Sequence, residues 1–152
     1  MATNVPLRIF VTGVNGHIGN HIVRDLLENG YAVRGSVRDL TDPQKTEHVR
    51  AHAAELGLEH RLELVQGDVL EADGWAEMLE DCVGLFHTAT IYSTSGRATK
   101  ILDTANKGTL HLLKAAKQAG INRVVYTSST AAVGNAPKGE EKNESVWNTD
   151  AS

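Results

Sequence analysis

The sequence is short of cysteine, proline, long apolar runs and excess positive charge, and each shortage is informative. Its 152 residues include one cysteine, Cys82, so no internal disulfide can form and a reducing compartment is expected. Three prolines against 14 glycines, with 41% hydrophobic and 22% charged residues, describe an ordinary globular composition. No apolar run approaches the roughly 20 residues of a membrane span, and Met1 to Pro6 lack the basic and apolar pattern of a signal peptide. No membrane partner is expected, and the cytoplasm is the default location. Fifteen Lys and Arg face 19 Asp and Glu, giving a formal charge of −4 with the basic residues scattered. A nucleic-acid partner held by its phosphates is therefore not expected. The length suits one domain that buries roughly 70% of its unfolded surface without staples.

Two kinds of segment alternate along the chain. Leu7 to Val11, Tyr31 to Val37, Leu62 to Val65, Val83 to His87 and Arg123 to Thr127 are short apolar runs that read as strands. Between them, Ile18, Ile22, Val23, Leu26 and Leu27 form a helical stripe that should end before Gly30. Leu102, Ala105, Thr109, Leu112, Leu113, Ala116 and Ala119 form a second stripe, stopped by Gly120. Weaker helices are read over Asp42 to Leu56, capped by Asp42 with Pro43 first, and over Ala72 to Glu80. Such alternation implies a parallel sheet wound through right-handed crossovers, with helices on both faces. Residues 1–135 are read as the folded domain, and the polar stretch 136–152 as a loop or tail.

The most informative motif is Thr12-Gly13-Val14-Asn15-Gly16-His17-Ile18-Gly19, which follows the first strand and opens the first helix. Gly13 permits a sharp turn, Gly16 lets backbone approach a pyrophosphate, and Gly19 lets the helix pack closely on the sheet. Amide N–H groups of the turn and helix start would then face the anion. The strand–turn–helix setting is what makes the glycine spacing specific.

This T-G-x-x-G-x-x-G turn resembles that of the extended short-chain dehydrogenase/reductase superfamily, also called the NAD-dependent epimerase/dehydratase family. Further segments match in order: Gly67-Asp68-Val69, Leu85 to Thr90, Asn106-Lys107-Gly108-Thr109 and Val124 to Ser129. Arg34 to Asp39 is similar to the dihydroflavonol-4-reductase-like branch, and the likeness runs from about Arg8 to Gly134. It implies a Rossmann-type doubly wound α/β domain with strand order 3-2-1-4-5, truncated before the substrate lobe.

Cofactor choice is read at the end of the second strand. Arg38, 19 positions after Gly19, suits the 2′-phosphate of NADP(H) through its planar guanidinium. Asp39 next to it could instead accept from a ribose hydroxyl or pair with Arg38, so NADPH is favoured and NAD stays open. The resemblance further implies that Asp68 and Val69 meet the adenine. It also implies that Thr88, Ala89 and Thr90 meet the ribose beside the nicotinamide.

In the superfamily a Ser, a Tyr and a Lys support hydride transfer. The resemblance gives the Ser role to Ser129, with Thr127 and Ser128 beside the cofactor. A helix cap is the alternative use of Ser129. Tyr-x-x-x-Lys is missing: four residues after Tyr31, Tyr92 and Tyr126 stand Gly35, Gly96 and Thr130. Tyr126 reads as core or strand flank, and Tyr92 and Ser93 as the substrate-side candidates. His17 and His21 have metal-ligand spacing but no third ligand, so no metal is expected. His87 reads as hydrogen-bonded core, and Cys82 as a small hydrophobe.

The function expected is the NADP(H)-binding portion of a carbonyl/alcohol oxidoreductase acting on a ketone, aldehyde or sugar carbon. A nucleotide-sugar epimerase or dehydratase and a non-catalytic redox-sensing module are the alternatives. Without Tyr-x-x-x-Lys the chain alone is expected to be inactive. Self-association is expected through an unpaired fifth strand and an exposed stripe on the helix Ile101 to Ala119.

Overall fold

The computed structural model describes residues 5–90, 98–133, 141, 143 and 145–148. Strands and helices alternate as β1 (Arg8–Thr12), α1 (His17–Glu28), β2 (Ala32–Val37), α2 (Pro43–Glu55) and β3 (Leu62–Gln66). They continue as α3 (Trp75–Met78), β4 (Cys82–His87), α4 (Ala98–Asp103), α5 (Thr109–Gln118) and β5 (Val124–Tyr126). The sheet is parallel throughout, in the order β3-β2-β1-β4-β5. The chain first winds outward from β1 and then returns across it to β4. A crevice between β1 and β4 is the consequence.

Alternation along β1 divides the core. Ile9 and Val11 pack into one apolar cluster with Val23, Leu27, Val33 and Val49, beneath α1 and α2. Phe10 points to the other face and joins Leu85, Trp75, Leu79, Leu112 and Ala116, beneath α3 and α5. Asp42 caps α2 by accepting from Gln44 N at 3.0 Å, with Pro43 in the first turn. That helix buries only Thr46, Val49 and Ala53, consistent with an outer layer. Beyond Glu28, Gly30 takes φ +86° and closes α1 by donating to Leu27 O.

Several expectations are corrected. The helix read over Ala72 to Glu80 shrinks to Trp75–Met78, because Gly74 before it sits at φ +82° and Asp81 after it at φ +62°. The single helix Ile101 to Ala119 is divided by a π-turn over Thr104–Gly108. Its stripe is not left open: Leu112 and Ala116 are core against Phe10 and Trp75, while Leu102, Leu110 and Leu113 are exposed. Ile18 is 51% exposed despite its place in the first stripe. At that turn of α1 the buried position is Gly19, one residue on. Tyr126 is strand flank rather than core, at 48% exposure.

Among the described residues β5 hydrogen-bonds to β4 alone and forms one edge of the sheet, with all three of its residues exposed. Within the stretch 136–152, Asn148 returns to the domain by hydrogen bonds to Ala132 O at 2.9 Å and Ala131 O at 3.1 Å. Most of the remainder of that stretch lies outside the described residues.

Trp75 is the largest fully buried side chain. Its ring meets Phe10 edge-on at 6.1 Å, and its Nε1–H donates to Glu71 O at 2.9 Å. Trp75→Ala is expected to cost about 3–5 kcal/mol of unfolding free energy. Urea denaturation checks this, and a loss below about 1 kcal/mol would show that α3 does not seal this side of the core.

Candidate functional site

The site begins where β1 and β4 end. Beyond Thr12, Gly13 turns at φ +66°, a conformation that costs glycine little. Gly13 N and Val14 N donate to Ser36 O at 3.0 and 3.2 Å, which fastens the turn to the end of β2. A Cβ on Gly13 would stand 3.0 Å from Ala89 Cα, and one on Gly19 would overlap Gly13 O. The glycines therefore allow turn, helix and β4 exit to close on one another. Gly16 caps α1 without a side-chain hydrogen bond, so among the described residues no side chain takes up the first-turn amides of His17, Ile18 and Gly19.

Beneath the turn lies a buried network centred on Thr12. Its Oγ1 accepts from Thr88 N at 3.1 Å and from Ala89 N at 3.0 Å. With both lone pairs used, the hydroxyl proton goes to His87 Nδ1 at 2.9 Å. His87 is then the tautomer protonated on Nε2, which donates to Thr109 Oγ1 at 3.2 Å on α5. Thr88 Oγ1 returns a hydrogen bond to Thr12 O. Burial pushes the His87 imidazole down to about 4, so it stays neutral. His87 is hydrogen-bonded core, as expected.

Above this network opens a cleft of about 210 Å³. Gly13, Asn15 and Gly16 line it from the glycine turn, and Arg38 from the end of β2. Asp68 and Val69 line it after β3, and Thr88, Ala89 and Thr90 after β4. Nine of the residues singled out in the sequence thus share one wall-to-wall space. Thr12 supports it from below, while His17 and Ile18 stand exposed on the first turn of α1. Thr127, Ser128 and Ser129 do not line the cleft. Ser129 Oγ instead accepts from Ala131 N at 3.2 Å and caps the short turn Thr130–Ala132. That is the alternative use read for it. Tyr92 and Ser93 lie outside the described residues.

The cleft also contains Ser36, Val37, Gly67, Leu70 and Thr104, which the sequence reading did not select. Gly67 could have been found, since it belongs to the Gly67-Asp68-Val69 match. Thr104 could not: it reaches the cleft from the π-turn, which a 3.6-residue period does not signal.

Arg38 is exposed at the rim, and Asp39 does not pair with it. The Asp39 carboxylate accepts from Thr41 Oγ1 at 2.6 Å and from Thr41 N at 2.9 Å. These bonds, the hydroxyl's first, hold its carboxyl below the usual range. Among the described residues no group of three metal-ligating side chains comes together, and no helix is long and apolar enough to cross a membrane.

Residues 9–150 match the NAD dependent epimerase/dehydratase family. The chain belongs to that family. It is 36% identical to a cinnamoyl-CoA reductase of Medicago truncatula over 99% of its own length and 47% of the relative's. Alfalfa vestitone reductase superposes with a TM-score of 0.70 at 32% identity, over 93% of this chain and 42% of that one. The yeast methylglyoxal/isovaleraldehyde reductase, solved with NADPH, gives a TM-score of 0.78 at 27% identity, over 94% and 44% of the two chains. The chain spans less than half the length of each of these proteins. The family is NAD(P)-dependent, and the Rossmann architecture read from the sequence is the one observed.

The network under the cleft carries a pH signature. An unfolded histidine titrates near 6.5 and the folded His87 near 4. The unfolded chain therefore binds the extra proton in this window, and stability falls as the pH drops through it. Wild type is expected to lose about 1–2 kcal/mol between pH 7 and pH 5 from this group. His87→Gln should flatten that part of the slope in urea titrations at the two pH values. An unchanged slope would mean that His87 is not held neutral.

Proposed function

We propose that this chain binds NADP(H) in the cleft between β1 and β4 and serves a carbonyl–alcohol oxidoreductase of the dihydroflavonol-reductase-like kind. The observation that carries the reading is the glycine turn, closed against Ala89 and opening onto a cleft shared by Arg38, Asp68 and Thr88. The backbone approach at Gly13 and Gly16 suits a pyrophosphate. In this reading the first-turn amides of α1 hold its charge. Asp68 and Val69 sit on the adenine side, and Thr88, Ala89 and Thr90 on the ribose side. Arg38, with Asp39 committed to Thr41, is left to clamp a 2′-phosphate. The cofactor, when bound, supplies or accepts the hydride. Ser129 is assigned to the reacting carbonyl on the family resemblance, and in that role its hydroxyl would donate to the carbonyl oxygen. The chain contains no Tyr-x-x-x-Lys pair to exchange the proton, so carbonyl reduction by this chain alone is not expected. The reductase relatives favour this over epimerisation, and the substrate class is a small-molecule carbonyl compound.

Calorimetric titration tests the cofactor assignment. NADPH is expected to bind at least about tenfold more tightly than NADH, a difference of about 1.4 kcal/mol. Arg38→Ser should erase the difference while leaving NADH binding in place. Equal affinities in wild type would remove Arg38 from the selectivity role.

The reading extends to assembly. A second copy is proposed to pair along the open edge of β5, covering Val124, Val125 and the exposed Leu110 and Leu113 of α5. Sedimentation velocity is expected to show a concentration-dependent dimer that Val125→Lys disperses. A wild-type monomer at high concentration would count against the pairing.

A further inference from the structure

Three of the segments that line the cleft are tied from behind by a histidine. His87 serves the β4 wall through Thr12. The other two have no place in the reading so far. His48, on α2, has Nε2 3.3 Å from Asn15 O in the glycine turn. His111, on α5, has Nδ1 3.1 Å from Val69 O in the loop after β3. A carbonyl oxygen only accepts, so both imidazoles donate, and this fixes the ring nitrogen that carries the proton in each. Neither His48 nor His111 lines the cleft, whereas Asn15 and Val69 both do. Two cleft residues thus have their carbonyls engaged by donors outside the cleft.

We infer that His48 and His111 are positioning residues for the dinucleotide, His48 acting on the pyrophosphate turn and His111 on the adenine-side loop. The physical reason lies in the sign of the backbone dipole. A turn that binds an anion must present N–H groups to it, and a carbonyl swung into the same space repels the charge. Engagement of Asn15 O by His48 holds that oxygen on α2. The turn has few other fixings on this side: Gly13 N and Val14 N reach Ser36 O, and Gly16 N reaches Gly13 O. At the opposite wall, Val69 is gripped twice. Gly108 of the π-turn passes so close that a Cβ there would stand 2.9 Å from Val69 Cγ2, and His111 fixes the carbonyl of the same residue. The π-turn and His111, three residues on, therefore act on one loop.

This inference rests on the cofactor reading, and its test separates the two. NADPH and adenosine 2′-monophosphate, which lacks the pyrophosphate, are titrated into wild type, His48→Leu, His48→Gln, His111→Leu and His111→Gln. Glutamine keeps an N–H donor where leucine has none. His48→Leu is expected to weaken NADPH about tenfold and to leave adenosine 2′-monophosphate unchanged, with His48→Gln recovering most of the loss. His111→Leu is expected to weaken both ligands about equally, again with recovery by glutamine. Wild type that binds no NADPH overturns the cofactor reading, and this inference with it. Wild type that binds NADPH, with leucine variants that match it or glutamine variants that fail to recover, overturns the positioning roles alone.

Discussion

The Thr12 hydroxyl is the interaction on which the rest of the site depends. It is fully buried and uses its whole hydrogen-bonding capacity, accepting two amides from the β4 exit and giving its proton to His87. β1 and β4 are neighbours in the sheet but belong to crossovers that leave in opposite senses, so their ends would otherwise part freely. Thr12 ties the first two residues of one exit to the last residue of the other strand. A buried donor or acceptor left unpaired costs about 1–3 kcal/mol, and this one side chain satisfies three groups at once. A valine of the same shape would satisfy none.

That tie sets the width of the crevice, and the glycines follow from it. Ala89, drawn in by its N–H to Thr12, comes so close to Gly13 that a side chain there would crowd it. Gly19 is excluded from bearing a side chain by Gly13 O and by Thr88 Oγ1, 2.9 Å from where the Cβ would stand. A glycine spacing that reads as backbone freedom in the sequence is, in the folded chain, equally a matter of room. The same tie reaches α5, because His87 donates a hydrogen bond from Nε2–H to Thr109 Oγ1. One side of the cleft is thereby coupled to the helix that also presents His111.

The parts of this arrangement written in side-chain period were legible in the sequence. Five strands, their parallel pairing and the Asp42 cap come from alternation and from turn chemistry whose cause is local, while the strand order came from the family resemblance. The glycine turn and Arg38 were legible from their places at strand ends, and Asp68, Val69 and Thr88 to Thr90 through the family resemblance. What escaped was decided by backbone geometry or by distant partners. Gly74 and Asp81 cut α3 short by adopting positive φ, which a helical pattern does not announce. The π-turn brings Thr104 to the cleft by adding a residue to one turn, and so breaks the stripe that the sequence spacing suggested. His48 and His111 carry no local signal of their roles, since their carbonyl partners lie 33 and 42 positions away.

The cleft and the turn that holds Ser129, which does not line it, are built to different standards. The cleft rests on Thr12, Ser36 and His87, all buried, and its loops are bonded at several points. Ser129 follows β5, which among the described residues is an edge strand of three residues with one neighbour and every side chain exposed. Ser129 already accepts from Ala131 N there, which leaves its proton free to be donated. An edge strand fixed on one side gives such a hydroxyl a weaker frame than the central strands give Thr12. In the proposed roles, a nucleotide end would rest on the sheet centre, whereas a carbonyl held at Ser129 would need the β5 edge braced. On the proposed function, binding and chemistry would be separable in this fold, because the sheet centre would support one and the sheet edge the other.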